Sequence, residues 1–141
     1  MSRRKSLVRG ILETALYAGD LDAAKRFYGE TLGLEQTAEA PGRHVFFRCG
    51  RGVLLIFDPA ATARPPEPEA PPVPPHGATG PGHVCFRAEA PELDAWRDRF
   101  EAAGIAIEAD FAWPNGARSL YVRDPAGNSV EFAEARLWDP E

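Results

Sequence analysis

Cysteine is scarce in this chain: two residues in 141, Cys49 and Cys85, too few for a disulfide framework. Both fall inside strand-like runs, where a free thiol is expected to behave as a small buried hydrophobe. Long apolar runs are missing too. The basic start Ser2-Arg3-Arg4-Lys5 invites comparison with an export signal, but Arg9 and Glu13 break the apolar stretch that would have to follow. No segment reaches the roughly 20 apolar residues of a membrane-spanning helix. Excess positive charge is also lacking. A formal net charge of -5 disfavours nucleic acid as the main partner, since phosphate binding needs a basic surface. These absences point to a cytoplasmic protein that acts on a small molecule, away from membranes.

What remains is ordinary globular material, 44% hydrophobic and 26% charged, which argues against global disorder. Its length suits one compact unit, or two small modules sharing a core. A pattern runs twice. Glu13, Ala15 and Tyr17 alternate with Thr14, Leu16 and Ala18; later His83, Cys85 and Arg87 alternate with Val84, Phe86 and Ala88. Each reads as a strand, the first over about 11–18, with a polar front and an apolar back. After the first strand, Asp20 is a good N-cap, Leu21, Ala24, Phe27 and Tyr28 recur at helical spacing, and Gly33 is a natural stop. After the second, Pro91 opens a helix with a stripe of Leu93, Trp96, Phe100 and Ala103, and Gly104 ends it. Strands are expected over 34–37, 43–49 and 53–57, then over 105–108, 119–123 and 129–133. Asp124-Pro125-Ala126-Gly127 has the composition of a type I turn. Superposing the halves matches Glu13 with His83, Leu21 with Leu93, Gly33 with Gly104, Arg48 with Arg123 and Gly52 with Gly127. So many matches in order indicate an internal duplication. Between the halves, residues 58–82 hold nine of the fourteen prolines, which predicts a semi-extended connector without helix or central strand. Its last part, Pro75 to Gly80, is placed to fold over a pocket as a lid.

Three side chains able to bind metal occupy related positions in this pattern. Glu13 opens the first strand, His83 opens its counterpart, and Glu131 lies between the core residues Val130 and Phe132, which turns it to the inner face. Burying a carboxylate without a partner costs several kcal/mol, roughly. Two buried glutamates and a histidine converging on one cavity are satisfied by a divalent cation; a salt-bridge cluster with Arg87 or Arg118 is the other solution.

The segments Glu13-Thr14-Ala15-Leu16-Tyr17, Asp20-Leu21, Phe27 to Leu34, Gly82 to Phe86 and Tyr121 to Glu131 resemble the vicinal oxygen chelate superfamily. That superfamily includes glyoxalase I, bleomycin-resistance proteins, extradiol dioxygenases and fosfomycin-resistance enzymes. The resemblance covers about residues 11–134. It implies an α+β fold of two tandem βαβββ modules, a curled mixed sheet around a cavity with helices on the outer face. A single domain over 9–135 is expected, with module one at about 9–58, a connector at 59–81, module two at about 82–135, and tails at 1–8 and 136–141. The implied metal ligands are Glu13, His83 and Glu131. Members with four protein ligands place one more at the end of the first half, where Leu55 and Ile56 cannot coordinate, so positions are left for water or substrate. One imidazole and two carboxylates suit Mn²⁺, Fe²⁺, Co²⁺, Ni²⁺ or Zn²⁺. The set departs from the two-His, one-carboxylate arrangement of non-haem iron oxygenases, which weighs against a dioxygenase.

Around this constellation stand further candidates. Tyr17 and Tyr121 are placed to donate a hydrogen bond to an oxyanion, with Glu13 or Glu131 as general base. His44, His76, Cys85 and Arg87 are candidate pocket residues, and Trp113 and Arg118 flank a turn near the expected rim, where an arginine suits an anionic group. The tail Arg136-Leu137-Trp138 is apolar enough to dock on the sheet or on a partner chain. The expected function is metal-dependent, glyoxalase-like lyase or isomerase chemistry on a small substrate held through two oxygens. The alternative is a non-catalytic protein of the bleomycin-resistance type that sequesters a drug or metabolite. The resemblance also implies a homodimer. Nothing in the chain singles out glutathione or another thiol.

Overall fold

The computed structural model describes residues 6–139; the basic start 2–5 lies outside the described residues. The α+β architecture is two tandem modules. In module one, β1 (Glu13–Tyr17) leads to α1 (Leu21–Ala24) and then to β2 (Glu35–Ala40), β3 (His44–Cys49) and β4 (Gly52–Phe57). In module two, β5 (His83–Ala88) leads to a helix at Ala90–Ala102, then to β6 (Ala109–Ala112), β7 (Arg118–Arg123) and β8 (Ser129–Glu134). The strands form two open four-stranded sheets of matching order, β1-β4-β3-β2 and β5-β8-β7-β6. In each, the first strand pairs parallel with the last and the other pairs are antiparallel.

The helices start and stop where their ends find partners. Asp20 caps α1 by accepting from the Ala23 N–H at 3.0 Å. Residues Lys25–Thr31 continue it as a π-helical stretch, its Leu32 N–H bonding the Phe27 carbonyl at 2.9 Å. Gly33 ends it at φ +79°. The module-two helix opens with a capping box, the Glu89 N–H donating to Glu92 at 2.7 Å, and buries Leu93 and Phe100. Ala103, expected in that stripe, is exposed at its end.

Two expectations fail locally. The connector contains one helical turn, α2 (Pro59–Thr62), capped by Asp58. A proline at the first helical position gives up only an N–H that would have had no partner. The module-two helix thus becomes α3. The strand expected at 105–108 forms instead at β6, because Ile105 and Ile107 pack against the core while pairing with β7 starts at Ala109 opposite Tyr121.

One core joins the modules: Leu16, Tyr28, Phe47 and Ile56 belong to the same cluster as Leu93, Phe100, Val122 and Phe132. Each such side chain stabilises by about 1.5–3 kcal/mol. A buried polar clasp adds direction. Tyr28 donates to Asp124 Oδ2 at 2.7 Å, while the Asn128 amide donates to Asp124 Oδ2 at 2.9 Å and to the Tyr17 carbonyl at 3.1 Å. Asn128 Oδ1 accepts from the Gly82 N–H at 2.7 Å, just ahead of His83. Burial, then the charge of Asp124, push the Tyr28 phenol far above its usual value, so it stays a donor.

Candidate functional site

β5 and β8 lie side by side with Cys85 opposite Glu131, and β7 puts Tyr121 on the other flank of Glu131. Val130 and Phe132 fill the core, so Glu131 turns to the opposite face, yet it is only 5% exposed. A carboxylate so enclosed needs partners. Its Oε2 accepts the Ser119 hydroxyl at 2.6 Å, and Ser119 Oγ accepts the Trp113 indole N–H at 2.7 Å. Its Oε1 stands 3.2 Å from His83 Nε2. On the far side of that ring, Nδ1 lies 3.1 Å from the Ser129 carbonyl, which can only accept. Nδ1 therefore carries a proton, and the ring turns Nε2 toward a carboxylate oxygen.

Two acceptors facing each other at that distance need positive charge between them, either a second ring proton or a cation. Ligand atoms sharing one divalent ion through bonds of about 2.1 Å stand about 3.0–3.4 Å apart. His83 and Glu131 therefore fit as neighbouring ligands, and the His83 side chain is 51% exposed, open to an incoming ion. Around the pair, the Tyr121 ring stacks 6.3 Å from His83. Burial first, then the Glu131 charge, push the Tyr121 phenol up to about 12, which keeps it protonated. Although Cys85 is exposed as a residue, partial enclosure of its sulfur and then the Glu131 charge push the thiol up to about 12, so it is not a thiolate near neutrality.

Module one presents the equivalent face differently. Glu13, Leu55, Phe46, Phe57, His44 and His76 border a cavity of about 740 Å³ beneath the proline-rich connector. Tyr17 is tied to His76, its hydroxyl 2.7 Å from Nδ1. The His44 ring stacks on Phe46 at 4.0 Å, and its Nδ1 is buried without a partner among the described residues. Burial, then nearby Arg43, lower its pKa below the ordinary 6.5.

Of the three expected ligands, the structure brings His83 and Glu131 together and leaves Glu13 apart. Among the described residues no three His, Cys, Asp or Glu side chains gather as a ligand set. Glu13 is also exposed rather than buried: it stands on the face of β1 opposite the core residue Leu16. His44 and His76 do line a cavity, the one that Glu13 borders. Arg118 sits away from the rim: it bonds Asp110 through Nε at 2.8 Å and Asp94 through Nη1 at 2.6 Å, so its fork is already occupied. Arg87 is exposed on β5. Cys85 is exposed and Cys49 partly so, against the expectation of buried thiols. Trp138 is 83% exposed and docks on neither sheet. Ser119 is the site residue that sequence reasoning missed. Its alternation with Tyr121 along β7 was the available signal.

Residues 10–132 match the Glyoxalase/Bleomycin resistance protein/Dioxygenase superfamily. Among solved structures, the chain is similar to a lactoylglutathione lyase from Agrobacterium tumefaciens at 51% identity, covering 94% of this chain and 98% of that one, with a TM-score of 0.90. It is also similar to an integron cassette protein from the Halifax Harbour sewage metagenome, at 25% identity over 90% and 99% of the two chains, TM-score 0.70. A glyoxalase/bleomycin resistance protein/dioxygenase from Nocardioides shares the fold at 24% identity over 92% and 85%, TM-score 0.70. No curated protein sequence matches. With the duplicated modules in place and the match spanning both, the chain belongs to the glyoxalase/bleomycin resistance protein/dioxygenase superfamily.

Proposed function

We propose that this protein is a metal-dependent lyase or isomerase of the glyoxalase type, working as a homodimer on a small substrate held through two oxygens. In this reading His83 and Glu131 of one copy and Glu13 of the other hold a divalent ion. The observation that carries it is the 3.2 Å approach of His83 Nε2 to Glu131 Oε1, with Nδ1 tied to Ser129 and Oε2 tied to Ser119. That is how a ligand pair is oriented by its surroundings. The 51% identity to a protein described as a lactoylglutathione lyase supports the reaction class.

Two features favour a site shared between copies. Glu13 is exposed and stands apart from His83 and Glu131 within one chain. Leu7, Val8, Ile11 and Leu12 are each more than three-quarters exposed just ahead of β1, an apolar strip suited to a second copy.

When bound, the ion supplies Lewis-acid polarisation of a carbonyl. The protein's own groups do the rest. Both Glu131 oxygens are engaged, which leaves the exposed Glu13 as the freer carboxylate to move a proton between neighbouring carbons. Tyr121, protonated, donates to oxygen where negative charge develops.

The test is metal content of protein purified without chelator, followed by α-keto aldehydes offered with various thiols. One ion per chain is expected, lost in Glu13→Ala and in His83→Ala together with thermal stability and turnover. Metal-free protein that binds a bulky ligand with equal affinity in both variants would establish sequestration instead.

A further inference from the structure

Resting on that reading, in which Glu13 marks the reacting end, we propose that the cavity over sheet one receives an uncharged aromatic group of the substrate, closed in by the proline-rich strap. The length of the cavity follows from register. Glu13 shares its level with Val53, and Tyr17 shares its level with Phe57 and His44. Four residues of strand at about 3.3 Å each separate these levels by about 13 Å. Between them lies the row Ala15, Leu55 and Phe46, in which Ala15 is the small residue.

The far end is aromatic. Phe46 meets Phe57 edge-on at 5.5 Å, and Phe57 meets His76 edge-on at 4.8 Å. Rings prefer such tilted or offset partners, so one more flat ring extends the array. Charge selects against ions: Glu13 and Glu67 are offset by Arg43 and Arg64 around the same cavity. Among the polar residues of the wall, with Thr37, Thr62 and His76, stands His44. His44 Nδ1 is buried and unpartnered among the described residues. The His44 ring borders the cavity, where an imidazole can meet a single polar group such as a ketone oxygen.

The strap forms one wall of the cavity. Pro65, Pro66, Pro71 and Val73 border the cavity. The strap is anchored at one end by buried Thr62 and at the other by His76, whose N–H bonds the Thr62 carbonyl at 2.9 Å and whose ring holds Tyr17. Prolines leave such a strap little freedom to lose when a ligand orders it.

The experiment is titration of full-length, chelator-treated protein with acetophenone, benzoate and acetone by ligand-observed NMR. Acetophenone is expected to bind saturably, at least tenfold tighter than acetone, which lacks the ring, or benzoate, which is charged. Val53→Trp, which fills the cavity, should weaken acetophenone at least tenfold, and His44→Phe about fivefold. Should the tryptophan variant not fold, Phe46→Ala, which removes one wall, must weaken it instead. No saturable binding, equal binding of benzoate or acetone, or indifference to these substitutions overturns the proposal; a second copy filling the cavity would give the first of these. Because no metal is present, this outcome is independent of metal uptake. Protein that takes up metal yet ignores acetophenone refutes only the ring pocket.

Discussion

Midway along the two sheets, module one carries Ala15, Leu55 and Phe46 in one row across three strands, and module two carries Cys85, Glu131 and Tyr121. The scaffolds beneath are alike. Arg48 bonds the Gly52 carbonyl at 3.4 Å and Arg123 bonds the Gly127 carbonyl at 3.0 Å, while Gly33 and Gly104 end their helices at φ +79° and +74°. Apart from the π-helical stretch in module one and the shorter β6 in module two, the difference lies on the faces turned away from the shared core. Positions packed on the helices must remain apolar, so the copies agree there. Positions on the other face are free of that demand, and there one module has an apolar row while the other has a carboxylate.

The comparison breaks most sharply if module two is given module one's residue. Glu131→Leu should lower metal affinity by two orders of magnitude or more, read by competition with a chromophoric chelator, while the metal-free protein stays folded, since an apolar residue replaces a buried charge. Next comes Ser119→Ala, which leaves both ligands in place but frees one carboxylate oxygen. A 10- to 100-fold loss of metal affinity is expected, roughly, with far-UV circular dichroism unchanged. The clasp between modules is tested by Tyr28→Phe, which leaves Asp124 short of a donor inside the core. It should reduce unfolding free energy by about 1–3 kcal/mol in urea without altering metal affinity in the folded protein.

The smallest effect concerns pH and module one alone. His44 has its folded pKa lowered, first by burial and then by Arg43, so the unfolded chain takes up a proton before the folded one does. Its contribution to stability is therefore complete above the ordinary pKa of 6.5 and declines as pH falls from there toward the folded value. His44→Phe should flatten that part of a melting-temperature profile; an unchanged slope between pH 5 and 7 would show that His44 is not its source.

The duplicated scaffold was legible because alternation and glycine stops are local signals. Val84 and Phe86 oppose His83 and Cys85 whatever surrounds them, and Gly33 and Gly104 recur at matching places. The clasp was not legible. Asp124 and Asn128 read as turn residues, and only the folded chain shows Tyr28 reaching Asp124 from 96 residues away. Glu131 could be turned inward from its neighbours, but Ser119 gains meaning only through pairing of β7 with β8. The enclosure of Glu13 failed for a related reason: alternation assigns a face, and what covers that face is decided elsewhere. The helical turn at Pro59–Thr62 escaped because proline counts obscure a capped first position.

The central claim, one ion held by His83 and Glu131 of one copy with Glu13 of another, is tested by mixing two defective chains. Glu13→Ala and His83→Ala proteins, carrying different tags and refolded together, form a mixed dimer with one intact site if ligands come from both copies. The account predicts one bound ion per isolated mixed dimer, against none in either parent. A mixed dimer that binds no metal, while the unmodified dimer binds two, would contradict it.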